Sequence, residues 1–344
     1  MPRKRGTQTM RIADIGEFPL IARLAQIITR DRPDVLVGIG DDVAVLAGDG
    51  DELLLATIDI QVEGVHFRRD LSTPFQVGRR ALAVNLSDIA AMGGRPWAAL
   101  VSLALPPDTE VAWVDELYRG LRAEADRWGV AIVGGNMTRA PGGIGVDVAL
   151  LGRVHRDRLL LRVGARPGDR VLVTGQLGDA AAGLRLALNP DLPASPADRA
   201  VLLERYLTPT PRLTEAAVIA RTGQATAMID LSDGLSSDIG HVCDRSGVGV
   251  RVWAARLPIS AATAHVAAVL AVPAWELALA GGDDYELCFT APPDAAEDLA
   301  AVVTRETGTP ATVVGEILPA DQGRRLVLPD GQELALTPGG WAHF

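Results

Sequence analysis

The sequence predicts a two-domain α/β (α+β) protein, and three observations carry that prediction. The chain has 344 residues, more than a single core usually absorbs. Hydrophobic residues make up 48% of it but aromatic ones only 4%, so Ala, Val, Leu and Gly fill the core, which suits helices lying close on sheets. Short apolar runs of strand length alternate with longer segments of helical period.

In chain order, residues 17–30 carry Leu20, Ile21, Leu24, Ile27 and Ile28 as a helical stripe. Leu53–Ile58 and Ala98–Leu105 read as strands. Between them Pro74–Met92 reads as a helix with Val77, Ala81, Val84 and Leu86 toward a core. A long amphipathic helix follows over 110–128, then a buried strand Val130–Val133 ending in Gly134-Gly135, then a strand Val146–Val154. The turn signal Ala165-Arg166-Pro167-Gly168-Asp169 opens a second unit, so the boundary falls near residue 155. That unit begins with the strand Arg170–Thr174. A polar stretch, Asn189–Asp198, separates two helical segments, and Thr208-Pro209-Thr210-Pro211 stops one helix and starts the next. Ala227–Asp230, Glu286–Thr290 and Thr312–Ile317 read as strands, and Ser236–Ser246 and Ala274–Leu279 as helices.

Composition excludes several kinds of chemistry. The net charge of −10 argues against a nucleic-acid surface. Lys4 is the one lysine, so neither a lysine phosphate loop nor Schiff-base catalysis is available. Cys243 and Cys288 fit neither a disulfide framework nor zinc spacing and are expected in the core. No apolar run is long enough for a membrane span. The basic start, Met1 to Arg5, lacks a following apolar region, so residues 1–16 are expected to be a disordered extension, with Met1 or Met10 as the start, and the protein cytoplasmic.

Five acidic clusters stand out, most of them at predicted strand ends: Gly40-Asp41-Asp42, Thr57-Ile58-Asp59, Asn85-Leu86-Ser87-Asp88, Asp230-Leu231-Ser232-Asp233 and Gly282-Asp283-Asp284-Tyr285-Glu286. Carboxylates among Ala, Leu and Ile are costly to bury unpaired. Any one of them alone reads more readily as a turn or helix cap than as a ligand. Five together, with few adjacent cations, favour divalent metal as the balancing charge, and Mg²⁺ is the ion that bridges carboxylates to phosphates. Gly134-Gly135 reads as a tight turn or as backbone open to an anion.

In these segments the chain resembles the thiamine-monophosphate kinases, of the superfamily that includes aminoimidazole ribonucleotide synthetase and selenophosphate synthetase. The resemblance runs through Gly38-Ile39-Gly40-Asp41-Asp42, Val62-Glu63-Gly64-Val65-His66-Phe67, Asn85 to Gly93, Gly134-Gly135-Asn136-Met137-Thr138-Arg139, Asp230 to Leu235 and Gly282 to Leu287, in order. It implies an N-terminal ATP/Mg-binding domain over 17–155 that dimerises, and a C-terminal α/β sandwich over 156–344. It implies transfer of the γ-phosphoryl of ATP to thiamine monophosphate within a homodimer. Carried over by position, Asp42, Thr57, Ile58 (by its carbonyl), Asp59, Asp88, Asn136, Asp230 and Asp233 are implied Mg²⁺ ligands. Gly135, Asn136, Arg162 and Ser232 are implied nucleotide contacts, and His66, Asp283 and Trp341 are implied contacts to thiamine monophosphate. Two positions depart from the family pattern: Asn136 stands where Asp is usual, and Asp283 where Glu is common. No catalytic side chain is expected, because the acceptor is already an anion.

Two other readings compete. A selenophosphate or aminoimidazole ribonucleotide synthetase would share the scaffold, but the former wants a cysteine near the N-terminus and none precedes Cys243. A non-catalytic nucleotide-binding maturation factor carries a C-terminal cysteine tail, where this chain has Trp341-Ala342-His343-Phe344.

Overall fold

The computed structural model of the chain describes residues 11–29 and 32–340. Ile12–Asp14, inside the expected extension, form a 3₁₀ turn, and residues 1–10 lie outside the described residues. Helix α1 (Glu17–Ile28) follows, with Phe18, Leu24, Ile27 and Ile28 exposed. Its stripe therefore marks a helix but not a buried one.

The first sheet is built from β1 (Val35–Val37), β2 (Ala44–Leu46), β3 (Glu52–Val62), β4 (Arg95–Leu105), β5 (Ala131–Arg139) and β6 (Gly145–His155), in the order β1-β2-β3-β6-β4-β5. Neighbours are antiparallel except β4 and β5. Between β3 and β4 runs α2 (Pro74–Ala91), and between β4 and β5 runs α3 (Val111–Trp128). Thr73 caps α2 and accepts from the Gln76 N–H, and Pro74 sits at the first helical position, where its missing N–H costs nothing. Gly78 lets α3 approach, since a Cβ there would lie 2.0 Å from the Leu117 carbonyl oxygen. Helices cover one face of this sheet. On the other face Ile58 and Ile60 of β3, Leu100 of β4 and Val133 of β5 stay exposed.

β5 departs from expectation. It is a solvent-exposed edge strand that runs on to Arg139, not a buried one that stops at Gly134-Gly135. The glycines lie inside it because β4 passes so close: a Cβ on Gly135 would fall 1.7 Å from the Val101 carbonyl oxygen.

The second sheet has the order β13-β12-β9-β11-β7-β10-β8, from β7 (Arg170–Thr174), β8 (Ala227–Asp230), β9 (Gly249–Trp253), β10 (Leu287–Ala291), β11 (Ala311–Leu318), β12 (Arg324–Val327) and β13 (Glu333–Ala335). Its helices are α4 (Asp179–Leu188), α5 (Pro196–Leu207), α6 (Leu213–Thr222), α7 (Leu235–Ser246), α8 (Ala261–Leu270), α9 (Ala274–Ala280) and α10 (Ala296–Thr307). α8 and α9 are apolar enough to form a bent membrane candidate by length and composition, yet they pack with α4 and α5 around Leu186, Leu202 and Val266. No single helix among the described residues is long and apolar enough to cross a membrane. Both cysteines are buried and unpaired with each other, as expected.

One continuous core joins the two units. It runs from Leu55, Leu86 and Ile89 of the first to Ile219, Met228 and Phe289 of the second. Helix α2 lies at the middle of it and touches both β3 and β8. This central position lets the last turns of α2 meet residues more than a hundred positions away.

Candidate active site

A cleft of about 1030 Å³ opens between the two units. Asp42, Thr57, Ile58, Asp59, His66, Asp88, Arg162, Asp230, Ser232, Asp233 and Asp283 all line it. Eleven of the residues singled out from the sequence thus meet in one place. Gly135 and Asn136 do not: they sit on the exposed edge strand β5, away from the cleft. Trp341 lies outside the described residues.

Each acid reaches the cleft by a different route. Asp42 follows the short bridge at Ile39–Asp41 and precedes β2. Asp59 projects from within β3, which runs on to Val62 instead of stopping at Ile58, as the sequence suggested. Asp88 sits on the last turn of α2, and Asp230 ends β8. Carboxylate oxygens of Asp42, Asp88 and Asp230 come within 4.8 Å of one another. Three unit charges so close repel by about 3–4 kcal/mol per pair at an effective dielectric near 20.

Few donors relieve that repulsion. Thr57 Oγ1 donates to Asp88 Oδ2 at 2.7 Å, and Ser87 Oγ donates to Asp230 Oδ2 at 2.6 Å. Arg162 donates through Nε and Nη2 to Asp42 Oδ1, and its backbone N–H points to the Asp41 carboxylate at 3.3 Å. The other oxygen, Asp42 Oδ2, is buried with no hydrogen-bond partner among the described residues. Burial, then the charges of Asp59, Asp230 and Asp42, push the Asp88 carboxyl well above the usual range. Burial and Asp42 push Asp230 up to about 7, and the same two causes push Asp41 up to about 6. Burial raises Asp42 as well, against the pull of Arg162.

These residues fit a divalent cation. The donors are all oxygen, they converge from three separate parts of the chain, and one buried oxygen lacks a partner among the described residues. A second group of possible ligands, Asp233, Asp238 and His241, lies beside the first. There the Asp238 carboxylate already accepts from the Asp233 and Gly234 N–H groups at 3.2 and 3.0 Å.

The other side of the cleft is built from different groups. His66 Nδ1 accepts from the Val62 N–H at 3.0 Å, which leaves the ring proton on Nε2. Asp283 follows α9 in a loop that docks on the segment after β8: its N–H donates to the Ser232 carbonyl at 2.8 Å, and that of Tyr285 to Leu231 at 2.8 Å. Asp283 Oδ1 accepts from Arg80 Nη2 at 2.6 Å and from the Tyr285 hydroxyl at 3.3 Å.

Family models agree with this architecture. Residues 40–154 match the N-terminal domain of the AIR synthase related proteins, and residues 166–327 match the C-terminal domain. The thiamine-monophosphate kinase of Escherichia coli is 38% identical over 96% of this chain and 98% of its own. The chain belongs to the thiamine-monophosphate kinase family. The solved structure of AaThiL complexed with AMPPCP and TMP superposes with a TM-score of 0.84 at 35% identity, covering 98% of this chain and 99% of that one. E. coli HypE, a hydrogenase maturation protein, shares the fold at a TM-score of 0.67 but only 21% identity, over 82% of this chain and 84% of its own. The family assignment therefore disfavours both the maturation-factor reading and the synthetase readings.

One cleft residue carried no signal of its own: Arg80 was one arginine among many, with its partners 126 and 203 residues away.

Proposed function

We propose that this chain is a thiamine-monophosphate kinase that transfers the γ-phosphoryl of ATP directly to the phosphate of thiamine monophosphate, giving thiamine diphosphate and ADP. One observation carries the reading: Asp42, Asp59, Asp88 and Asp230, far apart in sequence, line a single cleft. Asp42, Thr57, the Ile58 carbonyl, Asp59, Asp88, Asp230 and Asp233 are the groups that would hold Mg²⁺ there. When bound, the cation offsets the repulsion between two polyanionic substrates and aligns them.

The chain's own groups do the rest. Arg162 holds Asp42 by its guanidinium and presents its remaining donors toward the cleft, where nucleotide phosphates are met together with Ser232. Thr57 and Ser87 orient the Asp88 and Asp230 carboxylates by donating to one oxygen of each. His66 and Asp283 face the acceptor, and Trp341 is assigned a stacking role on its ring. The acceptor phosphate has a second pKa of about 6, so it attacks as an anion and needs no general base. No phosphoenzyme forms.

We further propose a homodimer paired through the open face of the first sheet, where Ile58, Ile60, Leu100 and Val133 are exposed together. That pairing gives Gly135 and Asn136, which lie outside the cleft of their own copy, a route to the nucleotide of the other. Sedimentation equilibrium that returned a monomer would remove this part. We assign the enzyme to the cytoplasm, where its donor ATP is found.

The deciding assay couples ADP release to thiamine monophosphate, ATP and Mg²⁺, with EDTA as control. Turnover with thiamine monophosphate that EDTA abolishes is expected. ADP release that ignores thiamine monophosphate would refute the reading.

A further inference from the structure

Arg80 occupies an unusual position for an arginine. It is 6% exposed, on the side of α2 that faces the cleft, two turns before Ser87 and Asp88. Its donors are divided among three partners from different parts of the chain. Nε donates to Gln61 Oε1 of β3 at 3.2 Å, Nη1 to the Tyr206 carbonyl at the end of α5 at 2.8 Å, and Nη2 to Asp283 Oδ1 at 2.6 Å. The guanidinium also lies 5.7 Å from the centre of the Tyr206 ring. Gln61, Tyr206, Asp283 and Tyr285 line the same cleft as Arg80 itself.

The loop that Arg80 grips is held in a conformation that side chains rarely adopt. Asp283 has φ +69° and Tyr285 has φ +49°, both left-handed. Asp tolerates that region better than most residues and Tyr does not. Such a backbone persists only where its surroundings over-determine it. Here the surroundings include two backbone hydrogen bonds to Leu231 and Ser232, the Gly178 and Ala180 N–H groups that donate to the Asp284 carboxylate, the Tyr285 hydroxyl and the Arg80 guanidinium. Of these, only Arg80 comes from the first domain.

We propose that Arg80 is a positioning residue for thiamine monophosphate, fixing the Asp283 carboxylate and the left-handed turn that carries it at the substrate end of the cleft. This rests on the reading above, in which Asp283 meets the substrate. Arg80 never touches the transferred group. It cancels the charge of Asp283, so that an anionic phosphate approaching between Asp283 and the acid cluster meets one carboxylate fewer. It also ties α2, which carries Asp88, to the loop that carries Asp283, so the metal end and the substrate end keep one spacing.

Four variants of the full-length protein test this, each with KM measured separately for thiamine monophosphate and ATP and with thermal melting recorded. Arg80→Met is expected to raise KM for thiamine monophosphate about tenfold while KM for ATP stays within about twofold. Arg80→Lys, which keeps charge and stem but loses the planar fork, is expected to recover part of that loss and remains readable if Arg80→Met does not fold. Asp283→Asn is expected to raise the same KM, and the double variant Arg80→Met/Asp283→Asn to be no worse than the poorer single one. If Asp283→Asn raises that KM while neither Arg80 variant does, Arg80 does not position the substrate and the inference falls while the site reading stands. If Asp283→Asn leaves it unchanged, the placement of thiamine monophosphate at Asp283 falls, and this inference with it. A loss in Arg80→Met spread equally over both substrates, or confined to the melting temperature, overturns the inference in favour of a purely structural ion pair.

Discussion

Two of the buried acid clusters among the described residues, one in the cleft and one around Glu286, are balanced in opposite ways. Below the cleft, Glu286 receives Arg212 through both Nε and Nη2 and a third hydrogen bond from Thr174 Oγ1 at 2.7 Å. Glu215 lies 3.6 Å from the same arginine and accepts from Thr309. Both oxygens of Glu286 have partners within the fold, and Glu215 Oε1 has two. In the cleft, Asp42, Asp88 and Asp230 share two hydroxyls and one guanidinium, and one buried oxygen is left over. A cluster that neutralises itself holds structure together. One that stays under-neutralised is built for a charge that arrives from outside.

The contrast predicts opposite mutational signatures. The largest effect is expected from Asp88→Asn and Asp230→Asn: turnover falls by about a hundredfold or more, on the scale of losing one strong electrostatic contact, while the metal-free melting temperature holds or rises because a repulsive charge is gone. Glu286→Gln should do the reverse. Breaking a buried pair strands Arg212 and costs about 3–5 kcal/mol of stability, with turnover of the surviving folded fraction nearly unchanged. Kinetics and thermal melts on the same three proteins check both halves. A variant of the cleft acids that melts early, with normal turnover when folded, would erase the distinction.

A smaller effect concerns pH. Asp230 titrates near 7 in the fold, above its unfolded value of 3.8, so the folded state binds more protons between those values. Stability of the metal-free protein therefore falls as pH rises through that window. Mg²⁺ competes with those protons, so its stabilising effect should grow from pH 5 to pH 8. Melting curves with and without Mg²⁺ across that range provide the check, and a shift that shrinks with pH would contradict it.

Which parts of this were legible in the sequence follows from what decides each part. Strong local patterns were readable: α2 and α3 lie within a residue or two of expectation, and so do β6, β7 and β8. The strands β9, β12 and β13 were not, because Arg251, Arg325 and Glu333 interrupt their apolar pattern and pair with one another across the sheet. α10 was missed for a similar reason: alanines and an uncapped start gave little local signal. β5 was misjudged because the apolar Val130–Val133 suggests burial, whereas Val133 is exposed on the open sheet face. At the site, the carboxylates were legible because an acid among Ala and Leu is conspicuous. Arg80 was not, because its role depends on partners brought together only by α2 running through the shared core.

The central claim is that the cleft acids are completed by a divalent cation, and calorimetric titration of Mg²⁺ into the protein in the presence of an ATP analogue tests it most directly. Saturable binding is expected in the native protein and at least tenfold weaker binding in Asp88→Asn, with Glu286→Gln unchanged wherever it remains folded. Identical isotherms for the native protein and Asp88→Asn would contradict it.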